Sequence, residues 1–304
     1  MHRPESEVDA AHRHEGPMDR HPDRTAATRP AGLTARLRRV VPWSPALLAT
    51  AAAAGIVAEL AWTVHRPLPG LVGLDASGLV PGADAGAPVR LVALGDSSLT
   101  GPGLTDPDAI WLRQALVALH LDRPVALTSL AVGGSRTADV TRRVPEAVAL
   151  EPDVVVVAVG SNDVVHGTPT RQVVAHLDDV LRQLGAAVPV VAVANVGDLG
   201  NVARVRPPLE NALRLRSRRV RLAIEAVVAR HPSAVLLDVT PADVAFRDPT
   251  VFAPDLFHPG PEGHARWADA ARPGLREALG RVGVGSRAAV DAASAVASSS
   301  GPRR

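Results

Sequence analysis

The run Asp153-Val154-Val155-Val156-Val157-Ala158-Val159 is apolar at every position after its first, where a strand with one wet face would alternate. Such a run fits a central parallel strand covered on both faces, and parallel strands need crossover connections that lay helices against the sheet. The sequence supplies them. Short β-branched runs at 89–94, 125–132, 154–159, 188–193 and 235–239 are each followed by a longer amphipathic stretch, at 107–120, 137–150, 169–184, 208–230 and 261–279. Five such units predict an α/β fold, a three-layer α/β/α sandwich around a five-stranded parallel sheet.

The flanks bound this domain to residues 89–280. Residues 1–42 are rich in His, Arg, Asp, Glu and Pro without apolar periodicity, and read as a disordered tail whose histidines (His2, His12, His14, His21) are solvated. Residues 281–304 drift into Ala, Ser and Gly and read as a second disordered tail. Residues 43–64 read as a hydrophobic helix, with Ser44 as N-cap and Pro45 at the first helical position, and no charge falls between Val40 and Ala58. Lying behind a long charged tail, the helix reads as an uncleaved membrane anchor; a helix packed on the domain and a cleaved signal are the alternatives. Arg29, Arg36, Arg38 and Arg39 precede it and only Arg66 follows closely, which keeps the tail cytoplasmic and places the main domain outside. Residues 65–88, with Pro67, Pro69, Gly70, Pro81, Gly82, Gly86 and Pro88, read as a linker.

Composition removes several chemistries. Cysteine is absent, so disulfides, thiolate metal sites and a cysteine nucleophile are excluded. Every basic side chain is Arg, which removes Schiff-base chemistry and a P-loop lysine. A formal net charge of +2 gives no indication of a nucleic-acid partner. No cofactor or metal is expected.

Ligands of an open parallel sheet bind beyond the carboxyl ends of its strands, so the residues just after each run carry the information. There the chain presents Gly95-Asp96-Ser97-Ser98, Gly133-Gly134-Ser135, Gly160-Ser161-Asn162-Asp163 and Asp255-Leu256-Phe257-His258. A serine needs a base to remove its proton, and the base needs an orienting group. Asp255 and His258, on one tight turn, can supply both to Ser97. The backbone N–H of Ser97 and Gly134 and the side chain of Asn162 are suitable donors for a developing oxyanion. His166 and Asp198, in loops at the same edge, are further candidates for substrate contact.

These four blocks, in this order and each after a predicted strand, resemble those of the SGNH (GDSL-type) hydrolases over roughly residues 89–279. The apolar helix ahead of the domain is similar to that of actinobacterial members. The resemblance implies a flavodoxin-like sheet and a metal-free serine esterase, lipase, thioesterase or deacetylase acting on a small-molecule or lipid ester. It implies Ser97 as nucleophile, His258 as base, Asp255 as its orienter, and Gly134 and Asn162 as oxyanion donors. The chain departs from the pattern in three places. Ser98 stands where the first motif has leucine, the asparagine usual before the second block is replaced around Thr128-Ser129, and the Gly133-Gly134 doublet offers two amides for one role. Acyl transfer through the same acyl-enzyme and a catalytically silent α/β binding module are the rival functions.

Overall fold

The computed structural model describes residues 44–65, 69–83 and 86–285. The expected tail at 1–42 and all but the start of the expected tail at 281–304 lie outside the described residues. The chain divides into two compact units. Of Met1–Ala49 only the opening of one helix is described, and Thr50–Arg304 holds the sheet.

Six strands form one sheet: β1 (Gly78–Val80), β2 (Val89–Gly95), β3 (Val125–Ser129), β4 (Val154–Ala158), β5 (Val190–Ala194) and β6 (Ala234–Leu237), in the order β1-β3-β2-β4-β5-β6. The five strands from β2 to β6 are mutually parallel, and among themselves follow the flavodoxin-like order 2-1-3-4-5. The expected count of five is therefore one short. The sixth strand, β1, comes from the segment read as a linker, and it pairs antiparallel with β3 through Gly78↔Leu127 and Val80↔Val125. Three residues in a Pro- and Gly-rich stretch are too few to carry a period of two, which is why the pattern did not disclose it.

The strand runs sort cleanly into the two faces. Leu91, Ala93, Val154, Val156, Ala192 and Leu237 face the helices α2 (Trp111–Ala118) and α7 (Pro261–Arg281) in one buried cluster. Val92, Leu94, Val155, Val157, Val191 and Val193 face α3 (Thr137–Ala149), α5 (Thr170–Ala187) and α6 (Leu209–Val228) in the other. Alternate residues of β4 thus enter different cores and all five are buried, as the uninterrupted valine run requires. A short helix α4 (Ser161–Val165) follows β4 directly.

Ahead of the sheet, α1 (Ser44–His65) contains a 19-residue apolar stretch, Pro45–Thr63, of mean hydropathy 1.6, long and apolar enough to cross a membrane. Leu47, Leu48, Val57, Leu60 and Trp62 along it are exposed. Its later half is part of the second unit, where Ile56 packs on the core that faces α6 and Arg204 Nη2 donates to the Thr63 carbonyl at 2.6 Å.

Candidate active site

In a sheet of this order the crevice opens where the strand sequence reverses, between β2 and β4. Two of the four motif loops leave from those strands. The closeness of the strands at this point depends on Gly95, where a Cβ would stand 2.1 Å from the Ala158 carbonyl oxygen. The Asp96 N–H then donates to that same carbonyl at 3.1 Å. Asp96 caps the 3-10 turn Ser97–Leu99 by accepting from the Ser98 N–H at 2.9 Å, which leaves Ser97 on the first residue of the turn with its hydroxyl uncommitted.

Asp255 and His258 come together as their spacing suggested. The His258 ring donates from Nδ1 to Asp255 Oδ2 at 2.6 Å, and Asp255 Oδ1 accepts from the Phe257 and His258 N–H groups, both at 3.0 Å. The turn reaches this shape by holding Leu256 at φ +57, a left-handed conformation that costs a branched residue about 1 kcal/mol or more. Asp255 is buried. Burial alone would raise its carboxyl, but the hydrogen bonds from the His258 ring and the two N–H groups outweigh it and hold Asp255 below the ordinary aspartate range. Its charge keeps the Nδ1 proton in place and so turns Nε2, the accepting nitrogen, outward. Ser97 and His258 line the same two clefts on either side of them. Ser97 and His258 are not hydrogen-bonded to each other; catalytic hydrogen bonds of this kind commonly reach full strength only around a bound substrate.

Three backbone N–H groups at this edge, those of Ser97, Gly133 and Gly134, make no hydrogen bond among the described residues. The sequence assigned the oxyanion role to Gly134 and Asn162. The Gly134 amide is free for it, as is that of Gly133. Asn162 is engaged: its Nδ2 donates to the Ser135 carbonyl at 3.1 Å and to Asp96 Oδ2 at 3.4 Å, the second long enough to exchange. Asp163 beside it is fully buried and belongs to the scaffold. Its Oδ2 accepts from the Thr137 N–H at 2.9 Å, answering an unpaired amide at the start of α3.

The two clefts differ in kind. One, of about 600 Å³, has an apolar wall of Leu199, Val202, Phe246, Phe252, Phe257 and Trp267. All three phenylalanines of the chain stand in it, with Phe246 in ring contact with Phe252 at 5.5 Å and with Trp267 at 5.3 Å. The other, of about 1010 Å³, is wider and carries the Gly133-Gly134 loop. The aromatic wall escaped the sequence reading because its residues, apart from Trp267 on α7, lie on 3-10 turns and loops with no period.

Of the two further candidates, Asp198 lines the aromatic cleft but is already occupied, accepting from Gly200 N–H and pairing with Arg214 Nε at 2.9 Å. His166 lines neither cleft, and its Nδ1 meets the Asn162 carbonyl at 2.8 Å. His264 is wholly buried in α7, where its Nδ1 accepts from the Trp111 N–H at 3.2 Å; burial pushes it down to about 3, so it stays neutral.

Residues 93–266, more than half of the chain, match the GDSL-like Lipase/Acylhydrolase family. The chain belongs to that family. All four motif loops fall inside the match. The platelet-activating factor acetylhydrolase IB subunit alpha1 of Bos taurus is 30% identical over 162 residues, covering 50% of this chain and 66% of its own length. A GDSL-like esterase of Mycobacterium tuberculosis is 28% identical over 198 residues, 63% of either chain. The chain thus spans just under two thirds of the length of these relatives. Among solved structures, TesA superposes with a TM-score of 0.53 at 22% identity over 62% of this chain and 99% of TesA. An alpha/beta hydrolase from the metagenome of Lake Arreo gives 0.51 at 23% identity over 68% and 98%. At these identities the likeness is one of fold, and it agrees with the strand order of the GDSL domain described above.

Proposed function

We propose that this member of the GDSL family is a serine esterase working through an acyl-enzyme, with Ser97 as nucleophile, His258 as base and Asp255 as its orienter. The observation that carries the reading is the 2.6 Å Asp255–His258 pair on a cleft shared with an uncommitted Ser97 hydroxyl and uncommitted N–H groups. His258 Nε2 takes the proton as Ser97 Oγ adds to the ester carbonyl, and the ionised Asp255 stabilises the imidazolium that forms. The carbonyl oxygen, gaining charge, is met by the Ser97 and Gly134 amides, joined by the Asn162 side chain once it leaves Asp96. Collapse expels the alcohol, which takes its proton from His258. Water then repeats the sequence on the acyl-enzyme.

The two clefts divide the substrate. The acyl group stays attached through both steps and suits the enclosed aromatic side; the alcohol departs midway and suits the open side. The Ser97→Ala protein, folded as judged by circular dichroism, is expected to lose hydrolysis of short p-nitrophenyl esters and labelling by a fluorophosphonate. Unchanged hydrolysis would refute the reading.

We further propose that α1 anchors the protein in a membrane with the catalytic domain, residues 89–280, on the extracytoplasmic side. Its support is the apolar stretch Pro45–Thr63 and the excess of arginine ahead of it.

A further inference from the structure

The wide cleft has one wall that the family match does not reach. Residues 71–75 precede the matched region by some twenty residues, yet Leu71, Leu74 and Asp75 line the cleft together with Ser97, Gly133, Gly134 and His258. The segment is strapped into place. The Leu74 N–H donates to the Thr100 carbonyl at 2.6 Å, just past the nucleophile turn, and Gly73 lies so close that a Cβ there would stand 2.5 Å from Thr100 Oγ1. Arg113 Nη1 donates to the Ala76 carbonyl at 3.1 Å, Ser77 Oγ accepts from the Ser129 N–H at 2.9 Å, and β1 then joins the sheet. An exposed linker would make none of these bonds.

Within this wall the Asp75 carboxylate is exposed and, among the described residues, has Ser77 as its only partner, through the Ser77 N–H to Oδ1 at 2.8 Å. Hydrogen bonds from Ser77 hold it below the usual carboxylate range, so it is ionised at neutral pH. An ionised carboxylate accepts hydrogen bonds and donates none. Leu71 and Leu74 beside it offer apolar contact only.

Resting on the esterase reading above, we propose that residues 71–75 form the leaving-group wall of the active site, and that Asp75 selects esters of alcohols bearing further hydroxyl groups, such as glycerol or a sugar. A hydroxyl next to the ester oxygen would donate to Asp75 while His258 protonates the departing oxygen. The same contact works in reverse. A polyol that enters the open cleft after the first alcohol has left gives its proton to His258 and attacks the acyl carbonyl; the Ser97 ester bond breaks, and His258 returns the proton to Ser97 Oγ.

The test uses the full chain and two butyrate esters that share one butyryl-enzyme, glycerol monobutyrate and ethyl butyrate. The Asp75→Asn substitution is isosteric and keeps an oxygen for the Ser77 N–H. Its ratio of kcat/KM for the glycerol ester over the ethyl ester is expected to fall about five-fold, as a charged hydrogen bond is exchanged for a neutral one. The second readout is independent of how much protein is folded: with ethyl butyrate as donor and free glycerol added, the ratio of glycerol monobutyrate to butyric acid formed is expected to fall by a similar factor. A wild type that hydrolyses both esters, with both ratios unchanged in Asp75→Asn, overturns the role of this wall and leaves the esterase reading intact. A wild type that hydrolyses neither ester overturns both.

Discussion

Asp96 and Asp255 are both buried at the candidate site, and their charges are answered very unequally. Asp255 collects three hydrogen bonds and is held ionised; Asp96 has one good bond, from Ser98, and a long one from Asn162. Burial therefore pushes Asp96 up to about 6. The unfolded chain, with an ordinary aspartate near ~3.9, loses that proton first, so folding stability falls as pH rises from about 4 to about 6, by roughly 3 kcal/mol in all. Asp96→Asn removes this dependence. Its stability relative to wild type, measured by urea unfolding, is expected to improve by about 2 kcal/mol between about pH 4.5 and pH 8. An offset that does not change with pH would show that Asp96 is ionised throughout. Asp255 has the opposite sign: its depressed carboxyl stabilises the fold at neutral pH, and the gain is lost on acidification. Asp255→Asn is expected to lower kcat by about 10³–10⁴, since the amide no longer fixes the tautomer or answers the imidazolium. Ester hydrolysis kinetics measure it, and a loss under tenfold would contradict the role given to Asp255. The Asp255–His258 pair was legible in the sequence because three residues on one turn must meet. The predicament of Asp96 was not, because Ala158 and Asn162, which enclose it, stand more than sixty residues away.

Among the elements, α4 shows how a loop motif is given a fixed position. This helix of five residues is too short to hold itself, and its support arrives from α6. Arg216 Nε donates to the Val164 carbonyl at 2.9 Å, and its Nη2 reaches the carbonyls of Asp163 and Thr168. Five arginines crowd this stretch of α6 at 214–221, and nothing in their spacing sets Arg216 apart from its neighbours. The fold does, by docking α4 over that one position. Arg216→Ala is expected to cost about 2 kcal/mol in thermal or chemical unfolding, and to lower kcat/KM by about tenfold through misplacement of Asn162. Arg219→Ala, on the exposed face, serves as the control; equal losses in the two variants would sink the assignment. β4, β5 and β6 were legible because a strand buried on both faces must be apolar throughout, and β2 and β3 because their short β-branched runs each precede an amphipathic stretch. The phenylalanines of the aromatic wall and β1 were not, since turns and a three-residue edge strand leave no period to read.

At the scale of the whole molecule, the α/β/α layering followed from the alternation of runs, and the order of the motif loops placed the site at one edge of the sheet. What α1 does was the least legible, because an alanine-rich stretch satisfies a membrane span and a packed helix almost equally well. Alkaline carbonate extraction decides between them. The full chain is expected to stay with the membrane pellet, and protease added to intact spheroplasts is expected to remove the catalytic domain; release into the supernatant would exclude a spanning anchor. β1 has a separate consequence. It covers the outer side of β3 along Val125, Ala126 and Leu127, whose backbone N–H and C=O groups would otherwise point into solvent. A fragment trimmed to begin just ahead of β2, at Val89, would bare that row and present it as a template to other copies. Such a fragment would be prone to self-association whatever the state of its active site, so three residues with no part in the chemistry keep the sheet of one copy from pairing with that of another.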